Sequence, residues 1–149
     1  MRCLWYITAL FAAALLPAGC LSGSGGVPQS VMEDVNPFGW LREQRLEFHN
    51  DDTVSLRDIA ILLRCGADAD EGELPMEIKF TAPDSSRFVE RRTIPLVLRR
   101  GPVSTAETVA IPYRRSVRLT QRGVYSVSLK PLASVRGIEA AGITIEKQQ

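Results

Sequence analysis

Short runs of alternating apolar and polar residues, separated by turn-forming residues, constrain the fold of this chain more than any other feature. One run, 124–129, reads Val-Tyr-Ser-Val-Ser-Leu, and another, 74–81, reads Leu-Pro-Met-Glu-Ile-Lys-Phe-Thr. A period of two residues puts one set of side chains on each face of a β-strand. After the first 20 residues, no stretch has the period of an amphipathic helix. The pattern therefore predicts an all-β domain.

Runs of this kind recur through most of the chain, with Gly, Pro, Asn, Asp or Ser between them. Seven or eight short strands with turns between them favour one antiparallel β-sandwich. The run 56–65 is the most apolar and is expected to be a central strand, and Gly137 and Gly142 are expected in turns with positive φ. Strands are expected at 41–49, 56–65, 74–81, 88–98, 107–113, 124–129 and 143–146.

The amino terminus has the pattern of a secretory signal. Arg2 supplies one positive charge, and an uncharged apolar run follows from Leu4 to Leu16. The run is shorter than the roughly 20 residues that a membrane-spanning helix needs, and Pro17 ends it. Residues 1–19 are therefore predicted to be a cleaved signal peptide.

The signal ends in Leu-Pro-Ala-Gly-Cys, which resembles the lipobox of bacterial lipoproteins. That resemblance implies cleavage before Cys20, a diacylglycerol on its thiol and acylation of its new amino group. The alternative is an ordinary signal with an incidental Cys20, which would leave a free thiol in an oxidising compartment. Residues 20–35, rich in Gly and Ser at their start, are predicted to be a flexible tether, and 36–149 the β-sandwich domain. An Asp directly after the lipidated cysteine resembles an inner-membrane retention signal of some bacteria. Leu21 follows Cys20 instead, so we expect the protein at the periplasmic face of the outer membrane.

Composition argues against several functions. The chain has 18 basic and 17 acidic residues and a formal net charge of +1, so nucleic-acid binding is not expected. One histidine and three cysteines without a Cys-x-x-Cys pair predict no metal site, and no cofactor is expected. The acidic loop at 66–73 lacks the spacing of a calcium loop. His49 and Cys65 are better explained as a surface histidine and a core cysteine than as a catalytic pair, so no catalytic residue is assigned and an enzyme is not expected.

Charge is distributed unevenly along the chain. Residues 33–84 contain 13 acidic and 5 basic side chains, whereas residues 87–122 contain 9 basic and 2 acidic ones. These halves could cancel as cross-strand pairs or leave a basic face. Neighbours in a strand point to opposite faces, so at most one arginine of each Arg-Arg pair can line a given surface. The candidate partner-binding face comprises Arg91, Arg99, Arg114 and Arg118.

The carboxy-terminal segment carries a family resemblance. It contains Gly-Val-Tyr at 123–125, Gly-Ile-Glu at 137–139 and Gly-Ile-Thr-Ile-Glu-Lys at 142–147. This arrangement resembles the end of the gliding-motility lipoprotein H family of Bacteroidetes. Gly39-Trp40 before the first mature strand and Leu63-Arg64 at the end of the second are also similar to that family. The aromatic, Asn-rich segment of the family is replaced after Arg64 by an acidic stretch.

The resemblance implies an outer-membrane lipoprotein of the gliding-motility and associated secretion apparatus. It also implies a non-enzymatic binding or structural role, with protein components of that machinery as partners and the lipid as the membrane attachment. A different class of function is an envelope-anchored module that binds an anionic glycan or lipid. Binding to such a ligand without any protein partner would distinguish the two.

Overall fold

The computed structural model describes residues 28–99 and 106–148. The described residues form eight β-strands and no helix. The strands are β1 (Gln29–Asp34), β2 (Gln44–Asn50), β3 (Leu56–Gly66), β4 (Gly72–Thr81), β5 (Arg87–Leu96), β6 (Ala106–Arg118), β7 (Gly123–Pro131) and β8 (Ile138–Lys147).

The strands form two antiparallel sheets of four strands each. One sheet has the order β1-β8-β3-β6 and the other has the order β2-β7-β4-β5. The two sheets pack face to face, so the predicted all-β sandwich is confirmed. Strand β3 lies between β8 and β6, which also confirms the central position expected for the most apolar run.

Alternating side chains from both sheets build the core. Along β3, Ile59, Ile61 and Leu63 point inward, and along β4 Met76 and Ile78 do the same. This period-two burial follows from the pleat of the strands and accounts for the alternation seen in the sequence. An aromatic group made of Phe48, Phe80 and Tyr125 fills one part of the core, with ring centroids 5.5 to 6.1 Å apart.

Strand β1 corrects the predicted extent of the tether. The sequence predicts a flexible segment over 20–35, but the structure pairs Gln29–Asp34 with β8, with Gln29 opposite Ile145. Val31 packs against the core, while the other five residues of β1 are polar or only partly covered. A single core contact in a polar run leaves little alternation, so the sequence could not distinguish this edge strand from a linker.

Three other boundaries differ from expectation by three residues or more. Strand β8 begins at Ile138, five residues before the predicted start at 143, because Gly142 continues the strand. Strand β2 begins at Gln44, three residues after the predicted start, because Trp40 leaves the strand direction to form an isolated bridge with Val135. Strand β6 continues to Arg118, five residues beyond the predicted end, past a β-bulge opposite Ile59. A bulge shifts the alternation by one residue, which breaks the sequence pattern on which the boundary was based.

The two glycines expected in turns behave differently. Gly137 has φ of 79° and packs against the backbone of Ala69, so its expected turn conformation is confirmed. Gly142 is wrong as a turn residue, because it lies inside β8 opposite Met32 of β1. A Cβ atom there would lie against the carbonyl oxygen of Val31 and 2.9 Å from the Met32 Cα. Gly142 is therefore needed for the close approach of β1.

A buried amide closes the end of the sandwich at which β1 begins. The Asn50 Nδ2 donates hydrogen bonds to the carbonyl oxygens of Leu119 at 3.3 Å and Gln121 at 2.7 Å. The Gln121 backbone N–H in turn donates to the Tyr125 hydroxyl at 3.1 Å. The two Asn50 bonds satisfy carbonyl groups of the β6–β7 turn, and the Tyr125 bond satisfies a backbone N–H group there.

Candidate functional site

Edge strands β5 and β6 lie at the same side of the sandwich and are joined by side chains. The Arg92 Nη1 donates to the Tyr113 carbonyl oxygen at 2.9 Å, and the Arg114 Nη2 donates to the Glu90 Oε2 at 2.8 Å. Each bond runs from one sheet to the other, where no backbone pairing joins the described strands. We name Phe88, Glu90, Arg92, Tyr113 and Arg114 the edge cluster.

The alternation of β5 places polar side chains on its inward face. Glu90 and Arg92 are in phase with Ile94, which is buried in the core. Because β5 is the last strand of its sheet, its inward side chains can reach past the core to the edge of the opposite sheet. The inward phase of Ile94 and Leu96 is the sequence signal that could have identified Arg92, which is not among the four predicted arginines.

Aromatic rings hold the two guanidinium groups in place. The Arg114 Cζ lies 5.1 Å from the Tyr113 ring centroid and 5.5 Å from the Phe88 ring centroid. The Arg92 Cζ lies 5.8 Å from the same Tyr113 ring. At these distances the ring quadrupole attracts a cation. Both cations are thus oriented by a ring and by a charge-assisted or backbone hydrogen bond, while half of the Phe88 side chain remains exposed.

Burial sets the ionisation of Tyr113. Desolvation raises the pKa of Tyr113 to about 12. The neighbouring Glu90 carboxylate acts in the same direction, first through a hydrogen bond that favours the neutral phenol and then by disfavouring a second negative charge. The phenol therefore stays protonated at neutral pH. Glu90 Oε1 is buried without a hydrogen-bond partner, so only one oxygen of this carboxylate is satisfied by Arg114. With two guanidinium groups and one carboxylate, the edge cluster presents net positive charge.

The structure does not bring the four predicted arginines to one face. Arg91 points away from the core and lies 3.2 Å from Glu77, whereas Arg114 belongs to the opposite sheet and to the edge cluster. Arg99 follows β5, and its backbone N–H donates to Glu107 Oε2 at 2.8 Å. Arg118 is exposed at the end of β6. Their positions on different strands and strand faces separate these four residues. Of the four, Arg114 is the one that belongs to the edge cluster.

Part of the charge asymmetry cancels between neighbouring strands. The acidic half supplies Glu77 on β4 and the basic half supplies Arg91 on β5, and the two residues face each other in register. On the other side of the same outer face, Lys79 pairs with Glu43 at 2.8 Å. This face therefore has the mixed ion pairs of a solvated surface, whereas the edge cluster holds two arginines against one glutamate.

His49 and Cys65 do not form a pair. His49 is exposed on β2 beside Asp51, with 3.1 Å between its Nδ1 and the carboxylate, while Cys65 is buried on β3 of the opposite sheet. Over residues 28–99 and 106–148, no group of three His, Cys, Asp or Glu side chains converges in a way that could hold a metal ion. The same ranges contain no helix long and apolar enough to cross a membrane.

The sequence was also compared with known proteins. It matches no protein-family model, and no curated protein matches it. Cys20, the predicted lipid-attachment residue, lies outside the described residues, as do the signal segment 1–19 and the start of the tether.

Proposed function

We propose that the protein is a lipid-anchored, non-enzymatic β-sandwich at the periplasmic face of the outer membrane. In this proposal it binds protein components of the gliding-motility and associated secretion apparatus. The observation that carries the proposal is the position of β1, which begins at Gln29, nine residues after the lipobox Cys20. A folded domain that starts this close to an acylation motif, after a Gly/Ser-rich spacer, is the arrangement expected of an anchored domain.

The edge cluster supports a binding role. Its guanidinium groups are held by rings and hydrogen bonds, so little side-chain entropy is lost when they contact a partner. Arginine is suited to carboxylate recognition because its planar fork can donate two parallel hydrogen bonds. The cluster therefore fits an acidic protein surface. The motility assignment itself rests on the resemblance of the carboxy-terminal motif.

Replacement of Cys20 tests the anchor. We expect Cys20→Ala to lose both the acyl mass and the membrane association, because the thiol is the attachment point for the first lipid. Cys3→Ala is the matched control, since Cys3 lies inside the segment that cleavage removes. The measurements are membrane fractionation and intact mass. Cross-linking of the wild type in membranes, followed by purification, should recover motility or secretion components.

Two results would contradict the proposal. An unmodified Cys20 in a protein released to the periplasm would remove the lipoprotein assignment. An acylated protein that cross-links to no motility or secretion component would keep the anchor but remove the assignment to that apparatus.

The positive surplus at the edge also favours a second function, binding of an anionic glycan or lipid. Phosphate groups accept the same paired hydrogen bonds from arginine as carboxylates do. Purified protein mixed with lipopolysaccharide or peptidoglycan, without any protein partner, separates the two functions. Saturable binding that is weakened by Arg114→Ala would favour the glycan or lipid module.

A further inference from the structure

The first part of β5 is an uninterrupted sheet edge. All ten residues of β5 are paired one to one with β4, without a register shift, and on its other side β5 pairs with no described strand. Residues 87–93 contain neither proline nor glycine. Phe88 and Val89 are adjacent, each about half exposed, and point to opposite faces of the sheet. An edge of this kind can accept another strand.

The other three edges are shorter, interrupted or differently charged. Strand β6 has Pro112 and a β-bulge, and Ser116 there has φ of 55°. Strand β1 has six residues, and β2 has seven, with Glu47 among its exposed side chains. Short strands, prolines and bulges are the usual ways in which sheet edges are protected from further pairing. Strand β5 has ten residues, and its first seven contain neither a proline nor a bulge, so this edge is protected only by the charge of its arginines and Glu90.

Charge indicates the kind of strand that would fit. Arg87, Arg91 and Arg92 lie within this part of β5, against one acidic residue, Glu90. Glu90 is already bonded to Arg114 from β6, Arg91 lies 3.2 Å from Glu77 of β4, and Arg92 donates to the Tyr113 carbonyl oxygen. Arg87 forms no ion pair with any residue in the described ranges. A strand placed beside β5 would meet positive charge on both faces, next to the apolar Phe88 and Val89.

We propose that the β5 edge, residues 87–93, binds an extended acidic segment of a partner protein as an additional β-strand. Backbone hydrogen bonds supply the pairing. Acidic side chains on the outer face of the segment meet Arg87 and Arg91, and aliphatic side chains on its inward face pack on Phe88. This inference rests on the proposed binding function and specifies its mode. It is independent of lipid attachment, so failure of the Cys20 experiment and failure of the experiment below are distinguishable.

The test uses the full chain in detergent and a fluorescent ten-residue peptide of alternating Glu and Val, with binding followed by anisotropy. We expect saturable binding, slower amide exchange over 87–93, and no binding of the corresponding Lys/Val peptide. Arg87→Glu should weaken binding about fivefold, on the scale of one lost exposed ion pair. The matched control is Arg45→Glu on the edge strand β2, which should bind like the wild type.

N-methylated peptides separate strand addition from simple charge attraction. Methylation of one alternate set of peptide amides removes the donors that face β5, whereas methylation of the other set leaves them intact. We expect one methylated peptide to lose binding and the other to keep it. The proposal is overturned by absence of binding at roughly millimolar peptide, by equal binding of the Lys peptide, by equal effects of the two methylation patterns, or by an equal effect of Arg45→Glu.

Discussion

Gly142→Ala tests whether β1 is part of the folded domain. In a flexible tether, as the sequence predicts for 20–35, nothing would contact position 142 from that side. In the structure, Met32 lies opposite Gly142, and an added Cβ would lie 2.8 Å from the Met32 Cγ and 2.9 Å from its Cα. The sign of the change in stability therefore decides between a docked strand and a tether.

The size of the effect follows from these distances. Non-bonded carbon atoms prefer about 3.5 to 4.0 Å, so β1 has to move by about 1 Å. The obstructing atoms include the Val31 carbonyl oxygen and the Met32 Cα, which are backbone atoms and cannot change rotamer. Overpacking of this kind costs about 1 to 3 kcal/mol. Removing the conformational freedom of glycine returns about 0.5 to 1 kcal/mol, so we expect a net loss of about 1 to 2 kcal/mol.

Urea unfolding and hydrogen exchange provide the assay. The urea concentration at the unfolding midpoint should be lower for Gly142→Ala than for the wild type. The backbone amides of Gln29–Asp34 should exchange faster, while the amides of β3 should keep the same relative exchange rates among themselves. The control is the same substitution in a chain that begins at Val35 and lacks β1. There, the substitution should be neutral or stabilising by about 0.5 to 1 kcal/mol.

A stabilising effect in the long chain would refute the reasoning, because it would mean that β1 does not approach Gly142. Equal destabilisation in both chains would also refute it, since the cost would then arise within β8 and its other neighbour, β3.

Three further predictions concern buried or strongly hydrogen-bonded groups. Asn50→Ala should lower stability by about 1 to 3 kcal/mol in urea unfolding, because it leaves a buried carbonyl without its donor; an unchanged midpoint would contradict this. Hydrogen bonds, first from Lys147 and then from Ser55, hold the pKa of Asp52 well below its usual range. The ionised carboxylate therefore stabilises the fold above about pH 4, and this stabilisation is lost as the pH falls. Asp52→Asn should make the free energy of unfolding depend less on pH in acid, and an unchanged dependence would count against this. In an ultraviolet titration Tyr113 should ionise near pH 12, and its loss in Tyr113→Phe assigns it; a Tyr113 transition near 10 would refute the buried phenol.

The fold was predictable from the sequence to the extent that alternation survives in each strand. Strands β4 and β7 alternate cleanly, and their positions were found within two residues of the structure. Strand β1 was missed because it is an edge strand with one core residue, Val31. The end of β6 was missed because a bulge interrupts its alternation. Sequence periodicity reports burial on one face, so it fails where a strand buries little or changes phase.

The candidate site was predicted less completely for a related reason. Arg114 was identified, but its partners Glu90 and Tyr113 were not, since their proximity depends on which strands end the two sheets. Strand order in a sandwich is set by long-range pairing, which a local pattern does not contain. Of the arginine surplus of residues 87–122, the structure brings Arg92 and Arg114 together around the Tyr113 ring.

The position of β1 sets how far from the bilayer the domain can act. With the lipid on Cys20 that we propose, the nine residues to Gln29 span at most about 30 Å. The chain enters the sandwich beside Ile145, at the end that carries the β2–β3, β4–β5 and β6–β7 turns. The opposite loops, including the acidic one between β3 and β4, lie one strand length farther away. Any protein that contacts those loops must therefore come within about 65 Å of the membrane that holds the anchor.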